Sequence, residues 1–250
     1  MAMPSDLILA AFLVFCRVGG CILIAPGFSS SRIPATVRLY IAVAVSLALT
    51  PTLYPLVLPL ATDATPASLL SAIASEAAIG LLIGLLGRLF FLALQSFAAV
   101  IAQSIGVGGM PGAMQDEGEQ LPALSTLLTL TATVMLFITD QHWELLRGLV
   151  GSYDAMPPAD GFMPQFALVS VTDQLTESFL LALRVASPFI VFSIIVNLAA
   201  GLINKLTPTV PIFFVAVPFL LAGGMLFLLF TVKELLAVFS GTVGSWLATG

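Results

Sequence analysis

Six long apolar segments follow one another along this chain and limit its fold more than any other feature. A helix that crosses a bilayer needs about 20 consecutive, mostly apolar residues, and each segment meets or nearly meets that length. The third and sixth exceed one crossing, which predicts long tilted helices or a helix with a shorter re-entrant piece. The segments are residues 7–25, 37–59, 68–105, 121–139, 176–204 and 209–240.

The composition agrees with a membrane-associated protein. Of the 250 residues, 59% are hydrophobic and 8% are charged, whereas a soluble domain carries about 25% charged residues. The alternating apolar and polar pattern of an outer-membrane barrel is absent from the sequence. We therefore predict an all-α fold: one polytopic domain over residues 1–250, with hairpins kinked at Pro188 and Pro218, each of which removes a backbone donor.

The charge distribution limits the kinds of partner and gives an orientation. Net charge is −5, and the eight Lys and Arg residues are scattered singly, so neither a nucleic-acid site nor a polybasic lipid patch is predicted. The links alternate between two sides of the membrane. Three basic residues lie in or beside one set (26–35, 106–120, 205–211), and one lies in the other (60–67, 140–175). The positive-inside rule places the first set in the cytoplasm.

A charged residue inside an apolar segment is costly to insert into a membrane. The insertion free energy is about 2.5–3.5 kcal/mol for a charge at the centre of a helix. We expect each to form an ion pair or to contact a partner subunit. A proton relay is the alternative, and Glu76 is then the only reasonable candidate, because Arg stays protonated. The charged residues concerned are Arg17, Glu76, Arg88 and Arg184.

Small residues mark one face of the third segment. Gly80, Gly84 and Gly87 share this face with Ala77. The small-xxx-small spacing predicts that another helix approaches closely there.

No arrangement of residues typical of catalysis or cofactor binding is found. His142 has no second His or Cys at metal-ligand spacing, and it is predicted to be an interfacial residue beside Trp143 at a helix end. Cys16 and Cys21 lie in an apolar run and are predicted to be small buried side chains. We expect no enzyme activity, no metal and no cofactor.

The link GVGGMPGAMQDEGEQ, residues 106–120, could be mistaken for a phosphate-binding loop. A dinucleotide site needs G-x-G-x-x-G between a strand and a helix, but Pro111 occupies the third glycine position. A P-loop would need a Lys, and none lies nearby. The nucleotide interpretation therefore fails.

Several stretches resemble the flagellar biosynthetic protein FliR. In residues 15–51, Arg17 in the first apolar segment precedes a link bounded by Pro26 and Pro34, and Arg38 begins the second helix in a Pro-x-x-x-Arg pattern. Residues 76–108, 137–158 and 181–213 resemble later parts of the family in the same order. The matching positions there include His142, Ser152, Tyr153, Pro157, Arg184, Pro188, Asn197, Gly201 and Pro208. Family members often carry Asp-Pro where this chain has Asp116-Glu117.

The resemblance implies a function. FliR is a subunit of the flagellar type III export gate in the inner membrane at the flagellar basal body. It forms a channel with FliP and FliQ, next to FlhB, through which unfolded flagellar proteins pass. Lipid is a further expected contact. The alternatives are an injectisome export subunit or a small-molecule or ion transporter.

The glycine-rich link then predicts a movable seal. Glycine makes backbone conformations easy to change, and Met packs adaptably. We predict a pore-closing loop formed by Gly106, Gly108, Gly109, Met110, Pro111, Gly112 and Met114.

Overall fold

The structure is a computed structural model that describes residues 4–30, 33–62, 65–107, 123–207 and 213–249. These residues form seven α-helices and no β-strand, which confirms the predicted all-α fold. The helices are α1 (Pro4–Ile24), α2 (Ala35–Ala61), α3 (Pro66–Ser104), α4 (Ala123–Ile138), α5 (Gln141–Ala155), α6 (Pro164–Leu206) and α7 (Phe213–Thr249).

Five helices in the described part of the chain are each long and apolar enough to cross a membrane. They are α1, α2, α3, α6 and α7. The pair α4 and α5 is bent by 73° and would make a sixth span if it counts as one. Helix α5 is the one helix that the six predicted segments do not include. It falls in the predicted link 140–175, because it is amphipathic and carries charges that break the apolar run.

The bend between α4 and α5 occurs at Asp140. Its φ of 58° lies in the left-handed region, which Asp tolerates better than most residues. The backbone N–H of Trp143 donates to the Asp140 carbonyl at 3.0 Å and so starts the new helix.

The chain divides into two compact units. The first comprises Met1–Leu89, Leu136–Leu175 and Gly244–Gly250, and the second comprises Phe90–Met135 and Thr176–Val243. The single domain expected from the sequence stays a prediction.

Helix α1 forms the centre of the first unit. Its buried residues recur every three or four positions, the spacing of one helix face. Residues of α2 and α5 cover this face, with Tyr153 of α5 among them. The buried positions of α1 are Ala10, Leu13, Val14, Arg17, Val18, Cys21 and Ile22.

Aromatic pairs join the helices of the second unit. Three of these pairs meet edge to face, a favoured geometry for such rings. The ring centroids of Phe91 and Phe239 lie 5.4 Å apart, those of Phe97 and Phe179 5.2 Å, and those of Phe189 and Phe227 5.0 Å. They connect α3, α6 and α7.

Helices α6 and α7 carry prolines in their interiors. Pro188 and Pro218 both lie within continuous helix. The predicted kinks at these positions stay predictions.

Candidate functional site

A buried ion pair lies in the first unit. Arg17 of α1 and Glu76 of α3 are 0% and 1% exposed. The guanidinium donates from Nε to Glu76 Oε2 at 2.7 Å and from Nη2 to Oε1 at 2.8 Å. Both carboxylate oxygens are therefore used in a bidentate pair, the strong form of this interaction.

The remaining donors of Arg17 bind α5 and the residue that follows it. Nη1 donates to Ser152 Oγ at 3.1 Å, and Nη2 also donates to the Met156 carbonyl at 3.1 Å. The guanidinium carbon lies 3.8 Å from the centroid of the Tyr153 ring, close enough for a cation–π interaction. One side chain thus ties α1 to α3 and to the C-terminal end of α5.

Close approach of two backbones makes this pairing possible. A Cβ at Gly80 of α3 would overlap the Arg17 carbonyl. One at Gly84 would lie 2.6 Å from the Cys21 carbonyl, and one at Gly20 of α1 2.8 Å from the Ala77 carbonyl. The helices therefore run in parallel with glycines at their contact. Since Cβ bonds tilt toward the helix N-terminus, Arg17 reaches Glu76, one turn before Gly80.

Gly87 extends the same contact with more room. A Cβ there would lie 3.3 Å from Pro26 Cδ and 3.8 Å from Leu145 Cδ1. The predicted glycine face of α3 thus lies against α1 and the two residues that follow it.

The other two charged residues within the apolar segments, Arg88 and Arg184, have different surroundings. Arg88 is half-buried and Arg184 is exposed. Neither side chain makes a hydrogen bond or an ion pair with the described residues. Their predicted contacts with partner subunits stay predictions.

The start of the predicted pore-closing loop is the C-terminal cap of α3. Gly106 has φ 79°, its N–H donates to Gln103 O at 3.0 Å, and the N–H of Val107 donates to Ala102 O at 2.9 Å. These bonds are those of a Schellman motif, which favours glycine. Gly106 faces Leu221 of α7. The other loop residues of the prediction, within 108–114, lie outside the described residues.

In the described part of the chain, His, Cys, Asp and Glu side chains do not cluster as a metal site requires. Among the residues that the structure describes, no three His, Cys, Asp or Glu side chains could hold one metal ion. His142 lies in the first turn of α5, with its ring 5.4 Å from that of Phe137 and 5.6 Å from that of Trp143. Cys16 and Cys21 are free thiols.

Ser152, Tyr153 and Met156 are the parts of the charged site that the residues alone did not reveal. Ser152 and Tyr153 belong to the stretch that resembles FliR, but nothing in their pattern indicates a bond to Arg17. The Met156 contact uses a backbone carbonyl, which no side-chain pattern can indicate.

Comparison with known proteins gives consistent matches over most of the chain. The family model described as bacterial export proteins, family 1, matches residues 8–245. Flagellar biosynthetic protein FliR of Caulobacter vibrioides is 31% identical over 208 residues, which are 83% of this chain and 82% of that protein. FliR of Aquifex aeolicus is 26% identical over 229 residues, 90% and 86% of the two chains. FliR of Escherichia coli is 24% identical over 211 residues, 84% and 78%.

Long apolar helices joined by a buried ion pair define a polytopic, helical membrane protein. The chain belongs to the bacterial export proteins, family 1, the family of the flagellar biosynthetic protein FliR.

Proposed function

We propose that this chain is a subunit of the flagellar type III export gate. With FliP and FliQ, and next to FlhB, it would form the channel through which unfolded flagellar proteins cross the inner membrane at the basal body. The observation that carries the proposal is the family match over residues 8–245. Energy for export would come from other components, and we expect no catalysis, cofactor or nucleic-acid partner.

The surface of α6 supports membership of a larger assembly. Beyond Phe189, exposed large apolar side chains recur at helical spacing, most of them along one side of this helix, and Leu206 is 80% exposed. Such a segment needs cover from lipid or from sister subunits, because water would not stabilise it. The exposed side chains are Val191, Ile194, Ile195, Leu198, Leu202 and Ile203.

The injectisome alternative has weaker support. The three relatives compared above are all named as flagellar proteins. A strain that lacks the gene for this chain and is complemented with it tests the flagellar role. We expect restored motility and co-purification with FliP and FliQ, whereas assembly with injectisome subunits alone would contradict it.

The transporter alternative would need a polar group available to a solute or ion. Glu76 is fully hydrogen-bonded to Arg17 and is 1% exposed, so its geometry favours a structural role. Flux into proteoliposomes that contain this chain alone would distinguish the two functions. Solute uptake there would favour the transporter.

The pore-closing loop gives a separate prediction. Deletion of residues 108–114 should raise resting ion leak through the assembled complex, because the predicted seal is removed. Single-channel or vesicle-leak measurements test this, with the intact complex as reference. Unchanged resting conductance in an assembled complex would contradict the loop's role.

A further inference from the structure

Two opposite charges lie on one exposed face of α6. Glu177 and Arg184 are both exposed and are seven residues apart, which returns to the same side of a helix. At 1.5 Å per residue they are separated by about 10 Å along the axis, too far to pair with each other. Leu180, between them, is 59% exposed.

The described residues of this chain do not cover this face. The buried stripe of α6 runs through Ser178, Leu181, Val185 and Phe189, on another side of the helix. Neither the Glu177 nor the Arg184 side chain has a hydrogen bond or ion pair with the part of the chain that the structure describes.

The part of α6 around Glu177 and Arg184 is apolar, although this face carries two charges. Arg184 lies near the middle of the 43-residue α6, and Val191, two turns further on, is 54% exposed. Charged residues at such positions are rare and are normally paired inside a helix assembly. A lipid phosphate near a helix end could neutralise an Arg, but it would leave Glu177 without a positive partner.

We propose that the charged face of α6, formed by Glu177, Leu180 and Arg184, binds an apolar helix of a sister subunit. That helix would place a carboxylate opposite Arg184 and a Lys or Arg opposite Glu177. Leu180 would pack between the two ion pairs and keep water from them. The inference rests on the proposed export assembly, and it names the chemistry of one of its interfaces.

Site-specific cross-linking tests the occupant. With p-benzoylphenylalanine at position 180, illumination of native membranes should link this chain to one sister subunit. The same group at Leu181, which is 7% exposed and belongs to the buried stripe, is the control and should give no such product. Cross-linking of position 180 to lipid alone, or labelling of Leu180→Cys by a water-soluble maleimide in the assembled complex, would overturn the inference.

Charge variants test complementarity. Arg184→Glu should lower recovery of the linked subunit at least about tenfold, as breaking a buried ion pair does. Arg184→Lys should stay within about twofold. Arg147→Glu is the matched control for Arg184→Glu and should leave recovery unchanged, because Arg147 is exposed and already pairs with Glu144 of its own helix. Surface pairs of this kind contribute little.

A double swap separates complementarity from net charge. Glu177→Lys combined with Arg184→Glu keeps the net charge but reverses both expected pairs, so recovery should fall at least as far as in Arg184→Glu. Full recovery would overturn the inference. The amount of chain in the membrane should not change, because neither side chain has a bonding partner in the described chain.

The two proposals fail differently. If the unmodified chain recovers no sister subunit, the proposed function is wrong. If it recovers them but neither cross-linking at 180 nor the charge variants behave as expected, only the charged face is wrong.

Discussion

At the scale of single residues, the Arg17–Glu76 pair is the most consequential interaction. Two charges removed from water are expensive, and the cost is offset only when the geometry is good and the remaining donors are bound. Here the guanidinium also binds Ser152, Met156 and the face of Tyr153. The pair therefore specifies how α1, α3 and α5 meet.

Removal of one partner should be severe. Glu76→Gln leaves a buried guanidinium without its counter-charge, so we expect the free energy of unfolding to fall by about 3–5 kcal/mol. Arg17→Met combined with Glu76→Leu should recover most of this loss, because apolar residues of similar volume often replace such pairs. Thermal unfolding in detergent measures both.

An exposed pair provides the control for this prediction. Glu144→Gln breaks the surface pair with Arg147 and should cost at most about 1 kcal/mol. Equal losses for Glu76→Gln and Glu144→Gln would contradict the structural role of Glu76. If the stable double variant abolished motility, the relay interpretation would regain support.

At the scale of helices, the backbones of α1 and α3 come into direct contact. Gly20 and Gly80 let the two helices approach until a carbonyl oxygen of one helix occupies the space that a Cβ of the other would need. Helices in membranes associate by such close packing because lipid supplies little hydrophobic drive. The same approach brings Arg17 within reach of Glu76.

Gly80→Ala should therefore push α1 and α3 apart and lower the free energy of unfolding by about 1–3 kcal/mol or more, the cost of overpacking. Gly148→Ala in α5 is the matched control, because no described atom beyond its chain neighbours and the adjacent backbone of its own helix lies within 4 Å of the added methyl group. That variant should be neutral or slightly stabilising, since Ala favours helix. Thermal unfolding of both variants in the same detergent tests this prediction. Equal changes in the free energy of unfolding would argue against the close contact.

At the scale of the whole molecule, apolar surface remains after the chain has folded. Side chains such as Tyr40, Ile138, Leu168 and Phe230 are each at least 70% exposed. Large apolar side chains exposed to this degree suit contact with lipid or protein better than contact with water. The fold is thus adapted to lipid and to partner subunits.

Fractionation tests this property. The chain expressed without its partners should stay in the membrane pellet after alkaline carbonate washing and enter solution only with detergent, because its helices suit the bilayer core. The cytoplasmic fraction is the reference. Release by carbonate alone would mean that the helices do not insert without sister subunits.

The helical fold, the family and most helices were predictable from the sequence, because long apolar runs have few alternatives in a membrane. Helix α5 was not predictable in this way, since its polar face interrupts the run, and its 73° angle to α4 depends on the left-handed Asp140. The segment 108–114 lies outside the described residues, so its predicted role stays a prediction.

The sequence by itself predicted that a charge inside an apolar segment forms an ion pair or contacts a partner subunit, because the bilayer makes unpaired charge expensive. Only the tertiary structure decided the pairing. Arg17 and Glu76 are 59 positions apart, and Arg88, Arg184 and Arg17 were equally possible partners on composition alone. Close backbone contact at Gly80 places Arg17 beside Glu76, and contacts between distant segments are a property of packing that no local pattern contains.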